Sequence, residues 1–230
     1  DPDPEKSFTE RQRMFQLPSS TWADYDKALI SKGGGVFDRS KKSIELSEEV
    51  RERFDISAAA LSPDELIHEL LKSPVQLIWN GGIGTYVKST QESHDDVGDK
   101  ANDQIRVNAT ELKAEVIGEG GNLGLTQLAR IEFSQRGGAV NTDFIDNSAG
   151  VDCSDHEVNL KILLNQIVDH GDITMKQRNE RLESLTDSIS QLVLTHNQNQ
   201  ARSISLALRH QVNRLRSEEH TSELQSPDHL

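Results

Sequence analysis

The sequence predicts an α/β fold in which helices surround a parallel sheet and a helical extension follows at the C-terminal end. Two short apolar runs, residues 75–79 and 114–117, have the length of strands, and each ends in a loop rich in glycine and asparagine. Segments with helical spacing of apolar residues alternate with these runs, and such alternation is typical of parallel sheets. After Gly171 only helical spacing continues. Residues 1–60 are polar and are interpreted as an irregular N-terminal segment of the same domain.

A helix is predicted to begin at Ser62 and to lead into the first strand. Ser62, Pro63 and Glu65 fit the N-cap, N1 and N3 positions of a capping box, in which the serine and glutamate side chains bond free backbone N–H groups. Apolar residues then recur at helical spacing until Pro74, which cannot continue a helix. Residues 75–79 follow, and their apolar run is of the kind that a buried strand presents.

The same order of elements repeats further along the chain. Residues 114–117 are predicted to form a second strand, and residues 125–136 a helix that ends at the glycine pair 137–138. The third strand is expected at residues 139–142. The apolar side chains predicted to be buried on this helix are Leu128, Ile131 and Phe133.

The C-terminal half is predicted to be helical. A polar loop at residues 146–150 is expected to precede a helix that a second capping box, Ser154-x-x-Glu157, opens. Apolar spacing then indicates one long helix over residues 175–193 and another over 201–215. Four segments result: the irregular segment 1–60, the α/β region 61–171, the helical extension 172–215, and residues 216–230, interpreted as a non-native or disordered tail.

Composition excludes several classes of protein. The formal net charge of −13 argues against nucleic-acid binding, which needs clustered lysine and arginine. No apolar run approaches the roughly 20 residues that span a bilayer, so no membrane role is expected. The single cysteine, Cys153, excludes an internal disulfide and is consistent with a reducing cytoplasm. The first residues show no signal-peptide pattern, and position 1 is not methionine, so we expect a cytoplasmic protein present here as a fragment.

The glycine- and asparagine-rich loops are the candidate ligand site. In open α/β sheets, ligands bind beyond the carboxyl ends of the strands. Glycine allows close backbone approach, and asparagine both donates and accepts hydrogen bonds. The alternative is that these glycines only turn the chain. Neither G-x-G-x-x-G nor the G-x-x-x-x-G-K-[ST] phosphate loop is present, so the residues alone indicate a nucleotide-class domain whose phosphate loop is not located.

Three blocks of sequence carry a resemblance to a known family. Residues 78–86 (IWNGGIGTY), 118–126 (GEGGNLGLT) and 146–157 (DNSAGVDCSDHE) resemble the large NAD-specific glutamate dehydrogenases. Residues 119–122 also resemble the E-G-A-N loop of the smaller hexameric glutamate dehydrogenases, with Gly121 in place of the alanine. The resemblance implies a partial Rossmann-like, NAD-binding domain. It also implies the parent activity, oxidative deamination of L-glutamate to 2-oxoglutarate and ammonium with reduction of NAD, and a homo-oligomeric full-length enzyme.

The resemblance also implies roles for individual residues. The backbone at Gly81 and Gly82 would lie along NAD, and Asn122 and Asn147 would contact its nicotinamide end. Ser154 would hydrogen-bond a substrate carboxylate. The family's catalytic lysine and aspartate have no counterpart in this sequence, so no catalytic residue is assigned and the fragment alone is expected to be inactive.

Other interpretations of these residues stay open. Ser154 is an ideal helix N-cap, and capping alone would explain it. Asp152, Asp155 and His156 fit no standard zinc spacing, so they are interpreted as solvated or capping residues and no metal site is predicted. Cys153 is interpreted as a buried thiol.

Two rival functions also remain. One is a different amino-acid dehydrogenase of the same superfamily, which would not need the polar group of Ser154 for an aliphatic substrate. The other is a non-catalytic nucleotide-binding module.

Overall fold

The structure is a computed structural model that describes the backbone of residues 2–224 and the side chains of residues 2–210. The chain divides into two compact units, residues 1–141 and residues 142–230. The elements of the first unit, in chain order, are α1 (Pro4–Phe15), β1 (Ile44–Glu45), α2 (Glu48–Phe54), β2 (Ala60–Leu61), α3 (Pro63–Leu71), β3 (Leu77–Asn80), β4 (Val87–Lys88), α4 (His94–Val97), β5 (Val107–Asn108), β6 (Val116–Glu119), α5 (Gln127–Gln135) and β7 (Ala139–Val140). Those of the second unit are α6 (Asp143–Asp146), α7 (Ser148–Asp169), α8 (Met175–Ser184) and α9 (Thr186–Leu224).

The first 60 residues are more regular than the sequence indicates. Helix α1 begins after Asp3, whose carboxylate accepts the N–H groups of Glu5 and Lys6, and α2 begins after Ser47. Strand β1 pairs antiparallel with β2. Regular elements therefore lie at both ends of this segment, and residues 16–43 between them contain two short 3₁₀ turns. Its buried residues are few and irregularly spaced along the chain, so they give no periodic pattern. Three of them, Ile44, Leu46 and Ile56, pack with Leu66 of α3 in a small cluster.

A three-stranded parallel sheet forms the centre of the first unit, in the order β3–β6–β7. Leu77 pairs with Val116, and Val116 pairs in turn with Ala139. Helix α5 links the second of these strands to the third. The predicted α/β class and the parallel pairing of the strands are thereby confirmed. The main core packs around this sheet and consists of Val87, Val107, Ala109, Leu112, Ile117, Leu125, Ala129 and Phe133.

Helix α3 begins where the capping box predicts. The backbone N–H of Glu65 donates to the Ser62 hydroxyl at 3.3 Å, and the Ser62 N–H donates to the Glu65 carboxylate at 2.8 Å. Pro63 occupies the first turn, where its missing N–H costs nothing. The helix ends at Leu71, three residues before Pro74, so both predicted boundaries are confirmed.

Burial on the sheet and on α5 differs from the sequence prediction. Strand β3 lies at an edge, and Leu77 and Trp79 are 54% and 61% exposed, because alternate side chains of this strand face away from the core. On α5, Phe133 is buried as predicted, but Leu128 and Ile131 are each 45% exposed. The buried face of α5 instead carries Ala129 and Arg130, because Arg130 points inward and binds the buried carboxylate of Glu119.

Helices are the regular elements of the second unit among the described residues, and the first of them differ from the prediction. The expected loop at residues 146–150 is divided between the end of α6 and the start of α7. Helix α7 begins at Ser148, with Asn147 in the N-cap position, so Ser154 does not open it. Cys153 is exposed rather than buried, since it lies on the outer side of α7.

The last two helices divide at a different place from the one expected. Thr174 and Gln177 form the capping box of α8, and the break before α9 falls at Leu185 rather than between residues 193 and 201. Helix α9 extends to Leu224, into the predicted tail, and residues 225–230 lie outside the described part of the chain. Within the described part, no helix has the length and apolar character that crossing a bilayer requires. The four segment boundaries drawn from the sequence stay a prediction.

Glu10 makes the stability of the N-terminal segment depend on pH. Its buried carboxylate accepts hydrogen bonds from Arg13 and from the backbone N–H of Asp26, and the Arg13 bond is the main cause that lowers its pKa from 4.5 to about 2. A lowered pKa in the folded state stabilises the fold above pH 4.5, and this contribution is lost as pH falls towards 2. We expect Glu10→Gln to lower the free energy of unfolding at neutral pH and to flatten its decline below pH 4.5. Urea unfolding of both proteins at a series of pH values measures this, and parallel pH profiles would contradict it.

Candidate functional site

A cleft of about 230 Å³ opens at the carboxyl ends of β3 and β6 in the first unit. The two strands end side by side, with Asn80 paired with Glu119. This is the edge of a parallel sheet at which ligands bind. The walls are mostly apolar and carry a few polar groups, as small-molecule sites do; they include Arg39, Ile78, Trp79, Asn80, Gly81 and Gly124.

The loops that follow the two strands touch each other. A Cβ atom on Gly121 would lie only 2.4 Å from the carbonyl oxygen of Gly82, so only glycine fits there. Leu123, two residues on, has a φ of 57°, in the left-handed region that side chains rarely adopt. The exposed Asn122 stands between them. The structure therefore brings together three of the sequence-predicted site residues: Gly81, Gly82 and Asn122.

The side chain of Trp79 requires glycine at positions 118 and 120 of the second motif. Its indole ring lies across the neighbouring strand, where a Cβ atom on Gly118 would come within 2.5 Å of the ring and one on Gly120 within 2.8 Å. The spacing G-x-G at this position therefore accommodates a tryptophan. Because Trp79 is also largely exposed, it presents a flat apolar surface beside the cleft.

Asn80 is a site residue that was not predicted from the sequence. Its Oδ1 accepts the backbone N–H of Gly82 at 3.3 Å, which holds the first loop in place. Its Nδ2 is buried without a hydrogen-bond partner in the described structure, close to Gly124, where a Cβ atom would lie 2.0 Å away. A buried amide donor in the wall of a cleft is suited to a ligand oxygen. Its position at the last residue of the strand was the available signal.

A buried ion pair supports the second loop from beneath. The guanidinium of Arg130 binds the carboxylate of Glu119 through two hydrogen bonds, of 2.7 and 3.1 Å, and Glu119 is completely buried. The same carboxylate accepts the backbone N–H of Leu125 at 3.0 Å. Glu119 thus joins the strand, the loop and α5. Arg130 was not predicted from the sequence, although an arginine within the apolar spacing of a helix was a signal for it.

The opposite side of the cleft is fixed by Asp99. Its carboxylate accepts the backbone N–H of Thr85 at 2.8 Å and the amide of Asn102 at 2.6 Å. These two bonds, the Thr85 N–H first, lower the pKa of Asp99. The aspartate therefore stays ionised and keeps the chain that follows Gly84 in position.

The remaining predicted site residues lie in the second unit. Asn147 sits between α6 and α7, and Asn197 of α9 donates its amide to the carbonyl of Ile145 and the hydroxyl of Ser148, which fixes this junction. Ser154 is exposed in the second turn of α7, and its hydroxyl donates to the carbonyl of Gly150 at 3.1 Å. Helix capping therefore does not explain Ser154. That the five predicted residues share one ligand stays a prediction.

Comparison with known proteins agrees with the resemblance carried by the three motifs. Residues 1–207 match the family described as the bacterial NAD-glutamate dehydrogenase catalytic domain. The chain is 64% identical over 208 residues to the NAD-specific glutamate dehydrogenase of Pseudomonas aeruginosa. The aligned region is 90% of this chain and 13% of that protein. Proteins of the same name from Halomonas elongata and Mycobacterium tuberculosis are 55% and 54% identical, over 90% and 86% of this chain.

The chain spans about 13% of the length of each of these curated relatives. The matched region nevertheless contains all three sequence motifs, the parallel sheet, the cleft and the helix that carries Ser154. With a match over residues 1–207, the chain belongs to the bacterial NAD-glutamate dehydrogenase catalytic-domain family.

Proposed function

We propose that this chain is a part of the catalytic region of an NAD-dependent glutamate dehydrogenase. The whole reaction converts L-glutamate, NAD and water into 2-oxoglutarate, ammonium, NADH and a proton. The observation that carries the proposal is the family match over residues 1–207, within which the glycine-rich motifs border a cleft at the ends of parallel strands. We propose that residues 61–171 form a partial Rossmann-like dinucleotide-binding region. The parent enzyme is proposed to be homo-oligomeric, as the resemblance implies, and cytoplasmic, in agreement with its single cysteine here.

The residues around the cleft fit a dinucleotide. The buried Nδ2 of Asn80 offers a donor to a ligand oxygen, and the exposed ring of Trp79 offers a flat apolar surface. The glycines at 81 and 82 expose backbone, because neither carries a side chain that would hold a ligand away. NAD, when bound, supplies the hydride acceptor.

The protein's own groups have positioning roles in this proposal. Gly81 and Gly82 bind the dinucleotide through the backbone, and Asn122 and Asn147 orient the nicotinamide end through their amides. Ser154 donates its hydroxyl to a substrate carboxylate. We assign no proton-transfer residue among the described residues, so the chain by itself is expected not to turn over glutamate.

The test uses a chimera in which residues 1–207 of this chain replace the matching segment of the Pseudomonas aeruginosa enzyme. In this chimera, Ser154→Ala is expected to raise the KM for L-glutamate about 10- to 100-fold, since a hydrogen bond to a charged group is worth about 1.5–3 kcal/mol. Asn147→Ser removes the amide and should weaken NAD binding. Initial rates of NADH formation at varied substrate concentrations measure both effects.

Ser205→Ala is the matched control. Ser205 lies inside α9, is exposed, and donates to the carbonyl four residues before it, as Ser154 does. The control variant should leave both KM values unchanged. Equal KM values for L-glutamate in the Ser154 and Ser205 variants would contradict the proposed role of Ser154. A chimera that reduces NAD with an aliphatic amino acid in preference to glutamate would identify the other amino-acid dehydrogenase.

A further inference from the structure

Three side chains on two helices of the second unit form a cluster, Asp152 and His156 from α7 and His196 from α9. The Nδ1 of His196 lies 2.9 Å from one carboxylate oxygen of Asp152, and the Nε2 of His156 lies 3.3 Å from the other. One atom from each side chain lies within 4.8 Å of the other two. The two imidazole rings are stacked, with centroids 6.0 Å apart. The four-residue spacing of Asp152 and His156 places both on the same face of α7.

The protein's own hydrogen bonds satisfy this cluster only in part, because Asp152 and His196 bond to each other and leave His156 out. The Nε2 atom of His156 is buried and has no hydrogen-bond partner in the described structure, although the Asp152 carboxylate stands beside it. A buried ring nitrogen in this condition destabilises the fold. A ligand that accepts a nitrogen lone pair and attracts a carboxylate would satisfy all three side chains at once. A metal cation has this chemistry.

The distances fit a metal ion. Zinc binds imidazole nitrogen and carboxylate oxygen at about 2.0–2.2 Å, so neighbouring ligand atoms in a tetrahedral site are about 3.3 Å apart. The two nitrogen–oxygen separations, 2.9 Å to one oxygen of Asp152 and 3.3 Å to the other, are close to this value, so each imidazole nitrogen lies beside one oxygen of the carboxylate. Two imidazoles and one carboxylate favour zinc, nickel or cobalt over magnesium and calcium, which prefer oxygen ligands alone. We propose that Asp152, His156 and His196 bind one divalent transition-metal ion of the zinc class, with water completing its coordination.

The position of this site gives it a structural role. Ser154 lies about 200° around α7 from Asp152, at roughly 100° per residue, so the metal ligands and the proposed substrate residue occupy different faces of the helix. Asn197, next to His196, already joins α9 to the start of α7 through its bonds to Ile145 and Ser148. A metal beside these bonds would fasten α9 to the second and third turns of α7. The proposal does not depend on the dehydrogenase function.

The test measures metal binding directly on the full 230-residue chain after removal of metal with a chelator. Titration calorimetry with Zn²⁺ should show one tight site per chain, and Co²⁺ should give the intense visible absorption of a four-coordinate ion. Asp152→Asn and His156→Gln should each weaken this site at least about 100-fold, because each removes one of its protein ligands. Zn²⁺ should also raise the Tm of the parent chain but not that of either variant.

His170→Gln is the control, because His170 is an exposed histidine at the C-terminal end of α7. This variant should bind Zn²⁺ and Co²⁺ as the parent does. Circular dichroism shows whether each ligand variant folds. If one does not, His196→Asn takes its place in the Zn²⁺ titration, and the Co²⁺ spectrum of the parent chain tests the site without any substitution. Absence of a four-coordinate Co²⁺ spectrum in the parent, or tight Zn²⁺ binding that survives Asp152→Asn and His156→Gln, would overturn the proposal.

Discussion

Arg130→Met is expected to lower the free energy of unfolding by about 3–5 kcal/mol, which is the effect of removing one partner of a buried ion pair. Glu119 is completely buried, and Arg130 supplies two of its hydrogen bonds. Methionine has a similar length and fills much of the same space, so the loss comes mainly from the charge and the hydrogen bonds. The same carboxylate accepts the N–H of Leu125, so loss of the ion pair should also make the loop at residues 120–124 more mobile. Urea unfolding at neutral pH measures the change.

Two further variants show whether the loss of stability comes from the ion pair or from replacing any arginine with methionine. Arg202→Met replaces an exposed arginine on α9 and should change the free energy of unfolding by no more than about 0.5 kcal/mol. The double variant Glu119→Gln with Arg130→Met should be more stable than Arg130→Met alone, because it removes the buried negative charge as well. A double variant less stable than Arg130→Met would show that the pair does not act as an ion pair.

The sequence predicts those elements whose signals act over a few residues. The capping box at Ser62 and Glu65 fixes the start of α3, since the two side chains bond backbone groups within one turn. Apolar runs beside glycine-rich loops likewise locate β3 and β6, and their order along the chain implies parallel pairing. Their site follows from the same rule, because parallel strands deliver their carboxyl-end loops to one edge.

Features that depend on distant partners could not be predicted in this way. Trp79 belongs to an apolar run, but only the order of strands in the sheet makes β3 an edge strand with that ring exposed. The capping-box pattern places the start of α7 at Ser154, but the helix begins at Ser148, a residue that Asn197 of the distant helix α9 contacts. His196 is 44 residues from Asp152, so no spacing pattern connects them. Each of these features depends on tertiary packing.

Gly121→Ala in the chimera is expected to lower kcat/KM for NAD on the order of 100-fold, a loss of the size that a displacement of about 1 Å in a site can cause. The added Cβ atom would lie 2.4 Å from the carbonyl oxygen of Gly82 and 2.9 Å from its carbonyl carbon. Both are backbone atoms, which cannot rotate away as a side chain could. The loops at residues 81–84 and 120–124 must therefore separate, and the proposed backbone contacts of Gly82 with NAD would be lost. Initial rates at varied NAD concentrations measure the loss.

This expectation separates the present chain from the smaller hexameric enzymes, whose E-G-A-N loop carries an alanine at the position that Gly121 resembles. Here the carbonyl of Gly82 fills the space that the alanine methyl would need, so the substitution that matches those enzymes should be harmful. Gly137→Ala is the control: its φ of 91° strains any side chain, but a Cβ atom there would meet nothing within 4 Å. It should cost about 1 kcal/mol of stability and leave kcat/KM unchanged. If the Gly121 variant also kept the kcat/KM of the parent chimera, the contact between the two loops would not be needed for NAD, and the cleft between them would not be its site.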